Sequence, residues 1–271
     1  MELYKQNISE DISISYIDKG VGDCIVLLHG FCGSHEYFKY LIPELSKRHR
    51  VLAIDLRGHG ESSTVMNEYD INEMADDIAG ILKSLEVQKA ILFGHSLGGY
   101  VSLAFAEKYP DKISGLGLIH STAFPDSEEA KENRVKGIKK IKEVGIEPFI
   151  DDLIPKLFRQ KKDEKIASEI SFAKQIGNKT PSTGAISALN AMKNRKDRRV
   201  VLQNLDLPIL LVAGKEDQVI PKEKTFTTEG SHVTEVLLEN SGHMGMLEEP
   251  DRLIDVMYHF IETSVAPKPE E

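Results

Sequence analysis

The fold is decided by residues 90–99, which read Ala90-Ile91-Leu92-Phe93-Gly94-His95-Ser96-Leu97-Gly98-Gly99. They begin as a continuous apolar run, which is typical of a strand buried on both faces of a sheet. They then pass through Gly-x-Ser-x-Gly into a helical pattern that continues to residue 109. The pentapeptide alone matches about 5–10% of chains of this length by chance, so its position between strand and helix matters more. The stretch predicts a serine on a sharp turn, where small neighbours are needed because the backbone is tightly folded.

The same kind of pattern continues on both sides of this stretch. Further strands are predicted over residues 12–17, 24–29, 51–54, 113–119, 209–213 and 233–238. Helices are predicted over residues 70–85, 97–109, 221–229 and 249–263. Buried strands that alternate with helices indicate an α/β fold, with a mostly parallel central sheet and helices on both faces.

Residues 124–192 interrupt the alternation. They contain helical patterns over residues 128–144 and 164–176, and no convincing buried strand. We therefore expect a helical insertion in an otherwise continuous core. The expected organisation is a core of residues 1–123 and 193–264, the insertion at 124–192 and a disordered tail at 265–271.

The charge of the chain changes at about the same boundaries. Residues 125–200 hold 18 basic and 12 acidic residues, a net charge of +6, whereas the rest of the chain carries a net charge of −15. Two interpretations stay open. The basic residues either form the solvated faces of helices, or make the insertion attractive to anionic substrates.

The composition excludes several classes of protein. Of the 271 residues 41% are hydrophobic and 28% charged, with a net charge of −9, which excludes a disordered or collagen-like chain and argues against general nucleic-acid binding. No apolar run reaches the roughly 18 residues of a membrane helix, and residues 1–6 lack the features of a secretory signal. Cys24 and Cys32 are too few for a disulfide framework, and no Cys/His cluster has zinc spacing. We expect a cytoplasmic protein that binds neither nucleic acid nor membrane.

Polar residues follow several predicted strands, at the sheet edge where open α/β folds bind ligands. Asp217 follows the strand at 209–213, and His243 follows the last strand. Ser96, Asp217 and His243 occur in the chain order expected for a catalytic triad on this type of sheet. The backbone N–H groups of Phe31, after the strand at 24–29, and of Leu97 are candidates for an oxyanion hole.

These motifs together resemble the α/β-hydrolase superfamily, and the resemblance covers nearly the whole chain. It rests on His29-Gly30-Phe31, Asp55-Leu56-Arg57-Gly58-His59-Gly60-Glu61-Ser62, Gly94 to Gly99, Gly214-x-x-Asp217 and Gly242-His243. The resemblance implies that residues 124–192 form a helical cap over the pocket. It also implies a serine hydrolase similar to carboxylesterases, with carbon–carbon bond hydrolases, enol-lactonases and thioesterases as alternatives. Similar haloalkane dehalogenases and soluble epoxide hydrolases use Asp as nucleophile, whereas this chain has serine at 96.

The expected chemistry is cleavage of a small carboxylic ester. Ser96 attacks the carbonyl while His243 takes its proton, and Asp217 orients His243. The N–H groups of Phe31 and Leu97 stabilise the oxyanion, and water then hydrolyses the acyl-enzyme. This needs neither a metal nor an organic cofactor, and the expected partner is a small ester or related carbonyl compound. A ligand-binding sensor with vestigial hydrolysis is the alternative from a different class, and no oligomeric state is predicted.

Other carboxylates compete with Asp217 for the role of the acid. Glu216 is the main rival, while Asp206 lies at the wrong end of its strand, and Glu248 and Glu249 are expected to open the last helix. Some relatives place the acid near positions 120–122, which here read His-Ser-Thr. Asp217 is preferred because Gly214-x-x-Asp217 resembles the acid loop of the family. The other polar residues in the motifs, Asp55, Arg57, His95 and Cys32, are expected to be structural.

Overall fold

The computed structural model describes residues 2–64 and 68–265, and within them eight strands form one sheet. The strands are β1 (Tyr4–Asn7), β2 (Ser13–Lys19), β3 (Cys24–Leu28), β4 (Arg50–Ile54), β5 (Ala90–His95), β6 (Ile113–Ile119), β7 (Ile209–Gly214) and β8 (Val233–Leu238). Their order across the sheet is β1-β2-β4-β3-β5-β6-β7-β8. β2 pairs antiparallel with β1 and β4, and every other neighbouring pair is parallel. The predicted α/β class, with a mostly parallel sheet, is confirmed.

The central strands form the core because both of their faces are covered. Every residue of β3, β5 and β7 is buried. In the parallel register Leu28 pairs with Gly94, and His95 pairs with Ile119. The carboxyl ends of β3, β5 and β6 therefore meet at one edge of the sheet, and β7 and β8 end beside them. The loops at this edge, together with the first residue of α3, hold all the candidate site residues.

Helices surround the sheet. In the described part of the chain they are α1 (Leu41–Leu45), α2 (Ile71–Ser84), α3 (Leu97–Lys108), α4 (Glu128–Val144), α5 (Ile146–Leu157), α6 (Glu164–Asn178), α7 (Ser182–Lys193), α8 (Arg199–Gln203), α9 (Lys222–Thr225), α10 (Gly245–Glu248) and α11 (Pro250–Phe260), and a π-helical turn follows at Ile261–Val265. α3 packs on β3, β5 and β6, and α11 packs on β8. No helix among the described residues is both long and apolar enough to span a membrane.

Four of these helices, α4 to α7, occupy the predicted insertion. α4 packs against α5 and α7, and α5 packs against α6. Gly145 separates α4 from α5 at a φ of +84°, a conformation that glycine adopts without strain. α7 ends at Lys193, one residue beyond the predicted boundary, and the proposed tail at 266–271 lies outside the described residues.

Helices α1, α8 and α10 were not predicted from the sequence, and two further differences have a physical explanation. β1 was not predicted, because its Tyr-Lys-Gln-Asn sequence is largely exposed at the sheet edge and carries no apolar pattern. The helix predicted over 221–229 is limited to Lys222–Thr225, because Thr225 to Thr228 includes three β-branched residues with low helix propensity. Cys24 and Cys32 are both buried and free, as expected for a chain without a disulfide framework.

Candidate active site

Ser96 occupies the turn between β5 and α3. Its φ is 51° and its ψ is −112°, a strained conformation for a residue other than glycine. The flanking glycines are required by close approach, because a Cβ on Gly94 would lie 2.4 Å from the Gly98 backbone, and one on Gly98 would lie 2.2 Å from the Leu28 oxygen. Ser96 is partly exposed, whereas its neighbours His95 and Leu97 are buried. The turn therefore presents this one side chain at the sheet edge.

Hydrogen bonds from the neighbouring strand fix the turn. The Ser96 N–H donates to the oxygen of Ile119 at 3.0 Å, and the Ser121 hydroxyl donates to the Ser96 oxygen at 2.8 Å. Both partners lie at the end of β6. The conformation of Ser96 is therefore held by tertiary structure, which is what allows a strained residue to persist.

Asp217 and His243 form a buried hydrogen-bonded pair. His243 Nδ1 lies 2.8 Å from Asp217 Oδ2, and the ring nitrogen donates because a carboxylate only accepts. Asp217 Oδ1 accepts the N–H groups of Val219 at 2.8 Å and Ile220 at 2.9 Å. With its proton on Nδ1, a neutral His243 keeps Nε2 as an acceptor. This is the tautomer that a general base for a serine hydroxyl requires.

The surroundings of Asp217 keep its carboxylate ionised. Burial alone would raise the pKa of Asp217, but the interactions with His243 and His120 outweigh it and hold the pKa far below the usual range. The negative charge opposite His243 is therefore present at neutral and mildly acidic pH.

His120, at the end of β6, is a neighbour of this pair that the sequence did not identify as functional. Its Nε2 accepts the N–H of Gly245 at 3.2 Å, so the ring proton is on Nδ1. Nδ1 lies 3.4 Å from Asp217 Oδ2, too poorly aligned for a well-formed hydrogen bond but close enough for a strong electrostatic contact. His120 is fully buried and has a φ of +47°. The sequence feature that could have identified His120 is its position directly after a buried strand.

His120, Asp217 and His243 also have the composition of a metal site, since each has a ligand atom within 4.8 Å of the others. However, the ring nitrogens that face Asp217 both carry protons, as the contacts to Gly245 and Asp217 require. A protonated nitrogen has no lone pair for a metal. The cluster therefore fits a hydrogen-bonded network better than a metal centre.

His95 connects the loops around the serine. Its Nε2 donates to the backbone oxygen of His243 at 2.8 Å, and the two rings lie 5.0 Å apart. A Cβ on Gly30 would lie 2.6 Å from its Nδ1. Burial and the neighbouring histidines lower the pKa of His95 well below its usual value, so the ring is neutral. His95 thus acts as a structural link, in agreement with the expectation from the sequence.

The two candidate oxyanion donors lie on either side of Ser96. Leu97 is the first residue of α3, so its N–H has no intrahelical acceptor. Phe31 follows Gly30, where a Cβ would lie 3.3 Å from the Ser96 Cβ. Within the described residues neither N–H donates to a protein acceptor. Both groups are therefore free to bind a substrate oxygen.

The structure shows a hydrogen bond between only two of the three predicted triad residues. Asp217 and His243 are bonded, but the Ser96 hydroxyl makes no hydrogen bond of 3.5 Å or less to His243 or to any other described residue. In unliganded enzymes such bonds are often long, and they shorten when substrate binds. The rival acid Glu216 points elsewhere, since its Oε2 accepts the N–H of Gln160 at 3.1 Å.

The remaining polar residues of the motifs have structural partners. Arg57 pairs with Asp77 at 2.6 Å, and Asp55 accepts the N–H groups of His35 and Glu61. Glu248 accepts the N–H groups of Gly242, Met244 and Arg159, so it shapes the loop of His243 rather than contacting its ring. Asp206 is exposed at the start of β7, and Glu249 binds Asn240.

A cavity of about 550 Å³ adjoins these loops. Its lining residues do not include Ser96, Asp217 or His243, but they do include Phe31 and Ile220, which lie in the loops after β3 and β7. Its opposite wall belongs to the insertion and contains Phe149, whose ring packs edge-on against that of Phe31 at 6.0 Å. This volume is within the range of small-molecule sites.

Comparison with known proteins identifies the family of the chain. The profile of the alpha/beta hydrolase fold family matches residues 23–250. A 2-(acetamidomethylene)succinate hydrolase of Mesorhizobium japonicum is 30% identical over 214 residues, covering 77% of this chain and 76% of its own length. The structure of a thermophilic esterase from Thermogutta terrifontis with malate bound has a TM-score of 0.91 at 30% identity, covering 98% of this chain and 100% of that one.

A third protein shares the fold at lower identity. The enol-lactonase from Burkholderia xenovorans has a TM-score of 0.84 at 23% identity, covering 93% of this chain and 98% of that one. The chain is a hydrolase that belongs to the alpha/beta hydrolase fold family.

Proposed function

We propose that this hydrolase cleaves small carboxylic esters with Ser96 as nucleophile, His243 as general base and Asp217 as the acid of the triad. One observation carries the proposal. The Asp217–His243 pair, with the proton on Nδ1, lies at the same sheet edge as the strained turn of Ser96. A serine becomes nucleophilic when a neutral imidazole accepts its proton, and this arrangement supplies one.

The reaction proceeds in two halves. His243 Nε2 takes the Ser96 proton while Ser96 Oγ attacks the ester carbonyl, and Asp217 stabilises the imidazolium that forms. The tetrahedral intermediate collapses to an acyl-enzyme as the alcohol leaves with the proton from His243. Water then attacks the acyl-enzyme through the same base, which releases the acid and restores the serine.

The oxyanion of each intermediate binds the N–H groups of Phe31 and Leu97. Neither N–H has a protein acceptor in the described part of the chain, which supports this role. The start of α3 adds the positive end of a helix dipole at the same point. Such donors stabilise the transition state more than the ground state, which is what lowers the barrier.

Residues 124–192 act as a cap over the cavity. The backbone N–H of His243 donates to the oxygen of Leu157 at 2.7 Å, and a Cβ on Gly242 would lie 2.6 Å from the Arg159 nitrogen. The insertion therefore rests on the loop of the base as well as on Phe31. This placement makes the insertion the part of the chain that selects the substrate.

A second candidate is hydrolysis of a compound like 2-(acetamidomethylene)succinate. The observation that favours it is the name of the Mesorhizobium relative, which is 30% identical. The same serine, base and oxyanion donors would serve that reaction.

A substrate panel tests the proposed function. Wild type and Ser96→Ala are assayed on short-chain nitrophenyl esters, thioesters, lactones, dienol ketones and an acetamidomethylene succinate. Fastest serine-dependent turnover of the esters supports the proposal. If another class of compound is turned over fastest, that class replaces the ester as the proposed substrate. If no class shows serine-dependent turnover, the proposal is contradicted.

Ester hydrolysis should decline along a single acid limb as the pH falls, because a protonated histidine cannot accept a proton from serine. His243 must be neutral to accept the serine proton. Burial lowers the pKa values of His95 and His120, so these rings stay neutral, and Asp217 stays ionised because its pKa is depressed. The check is kcat/KM between about pH 5 and 8. With chemistry rate-limiting, a flat profile would count against a histidine base.

A further inference from the structure

We infer that the cavity recognises an anionic substrate: a small ester that carries a carboxylate on its acyl chain. This inference rests on the proposed ester hydrolysis and adds the substrate class. It chooses between the two interpretations of the basic insertion that the sequence left open.

The lining of the cavity is strongly basic. Two of its residues are acidic, Asp126 and Asp152. Six are basic: Arg134, Lys136, Lys140, Lys156, Arg195 and Lys224. The chain as a whole has a net charge of −9, so the lining of the cavity has the opposite sign to the protein.

Half of these cations already have a partner. Asp126 is buried between Arg134, at 3.2 Å, and Arg195. Asp152 pairs with Lys140. Both acidic residues of the lining are therefore neutralised within the protein, and neither is available to repel a substrate anion.

The other three, Lys136, Lys156 and Lys224, make no ion pair within 4.0 Å in the described ranges 2–64 and 68–265. They lie on α4, α5 and α9, so they approach the cavity from three different elements. All three line the cavity and are exposed, so we assign them to its rim. Charges of one sign around a cleft with low-dielectric walls focus the field into it.

Other residues of the same lining are apolar. Phe31, Phe149, Leu153 and Ile220 line it. Because the N–H of Phe31 is a proposed oxyanion donor, the ester carbonyl would lie at this end and the acyl chain would run toward the rim. A carboxylate at the far end of a chain of several methylenes would then reach the lysines.

The solvated-face interpretation applies to other lysines of the insertion. Lys139 is on α4, its side chain is 74% exposed, and it faces Glu143 at 3.8 Å. It does not line the cavity. Lys139 is therefore a matched control, since it has the same charge and helix but a different face.

The test compares two esters of equal shape, 4-nitrophenyl hemiadipate and the neutral 4-nitrophenyl 6-methylheptanoate. At low ionic strength we expect wild type to have the higher kcat/KM on the hemiadipate. Each of Lys136→Gln, Lys156→Gln and Lys224→Gln should reduce the charged-to-neutral ratio by about two- to fivefold, the range for exposed ion pairs, and the triple variant by more. Lys139→Gln should leave the ratio unchanged, and added salt should narrow it.

Several outcomes would overturn the inference. A ratio that does not favour the hemiadipate, or that survives in the triple variant, contradicts it while leaving serine-dependent hydrolysis of the neutral ester intact. If neither ester is hydrolysed, the proposed function fails, and calorimetry with the free adipate dianion decides the inference. Binding that weakens in the triple variant supports an anion site, and absent or unchanged binding refutes it.

A separate observation concerns His120, which we propose is a positioning residue for Asp217. Asp217 Oδ2 accepts from His243, and His120 Nδ1–H approaches the same oxygen at 3.4 Å. Oδ1 is already held by two backbone N–H groups. His120 is therefore the group that limits rotation of Oδ2 away from His243.

The position of His120 is strongly constrained. A Cβ on Gly245 would lie 2.4 Å from its Nε2, so only glycine allows the contact that fixes the tautomer. The groups that face the ring are the carboxylate of Asp217 and the rings of His243 and His95, at 5.8 and 6.1 Å, with Glu249 acting at longer range. Burial lowers the pKa of His120 and keeps it neutral, so it contributes a dipole rather than a charge.

Two variants separate positioning from a structural role. His120→Asn keeps an N–H donor near the place of Nδ1, and His120→Gly removes it. Both residues tolerate the positive φ of this site. We expect His120→Gly to lower kcat by about a hundredfold, as a misplacement of catalytic groups does, with a smaller effect on KM and most of kcat restored in His120→Asn.

The pH profile provides a readout that packing alone would not move. In His120→Gly the acid limb should shift to higher pH. Without the N–H of His120 beside it, Asp217 Oδ2 stabilises protonated His243 more strongly. In an Asp217→Asn background His120→Gly should have little further effect on kcat. Equal kcat and pH profile in wild type and His120→Gly, or the same loss in both backgrounds, would refute the proposal.

Discussion

Replacement of Ser96 by alanine is expected to lower kcat for ester hydrolysis by about a million-fold, the loss seen when a serine hydrolase loses its nucleophile. The reason is geometric. Ser96 is the side chain that the β5–α3 turn presents at the sheet edge, next to the free N–H groups of Phe31 and Leu97. Without the hydroxyl no acyl-enzyme forms, and only the oxyanion donors and substrate binding remain.

The measurement is kcat on the best ester of the panel, together with labelling by a fluorophosphonate probe. The probe should modify wild type at Ser96 alone and should not modify Ser96→Ala. Ser102→Ala is a matched control on the same helix, where the hydroxyl binds the oxygen of Gly98. It should keep its activity and its labelling. Activity of Ser96→Ala within roughly tenfold of wild type would rule out Ser96 as nucleophile.

The sequence predicted those features that depend on local pattern. The runs at β3, β5 and β7 were identified because strands buried on both faces are continuously apolar. β1 was missed because an exposed edge strand has no such pattern. The loops that bring Ser96, Asp217 and His243 to one edge follow from strand order, which the alternation of strands and helices largely determines.

Interactions between distant parts of the chain could not be predicted in the same way. His120 is 97 positions from Asp217 along the chain, and only the register of β6 on β7 places its ring on that carboxylate. The positions of Lys136, Lys156 and Lys224 at the cavity also depend on tertiary structure. Nothing local distinguishes Lys156 from Lys139, and the difference arises from how α4 and α5 pack.

The acid of the proposed triad could be narrowed to two residues from the sequence, and the structure distinguishes them. From the sequence Glu216 and Asp217 are adjacent carboxylates in one loop. In the structure the Asp217 carboxylate is buried and bonded to His243, whereas Glu216 binds the Gln160 N–H of the insertion. A shorter side chain, held by the Val219 and Ile220 N–H groups, is the one that can fix the imidazole.

Asp217→Asn should lower kcat by about 10⁴-fold with little change in KM. An amide at this position can present an N–H to His243 Nδ1, which favours the tautomer with the proton on Nε2, and that tautomer cannot accept the serine proton. The substitution also removes the negative charge that stabilises the imidazolium. The loss should appear equally in the rate of fluorophosphonate labelling, because that reaction needs the same activated serine.

Glu216→Gln is the matched control, since it makes the same chemical change one residue away. It should alter kcat only a few-fold, because the Glu216 carboxylate contacts the Gln160 N–H and not the ring of His243. Similar melting temperatures for the two variants would show that the difference lies in the chemistry rather than in folding. If Glu216→Gln lost several orders of magnitude in kcat while Asp217→Asn stayed active, the carboxylate that orients His243 during turnover would be Glu216.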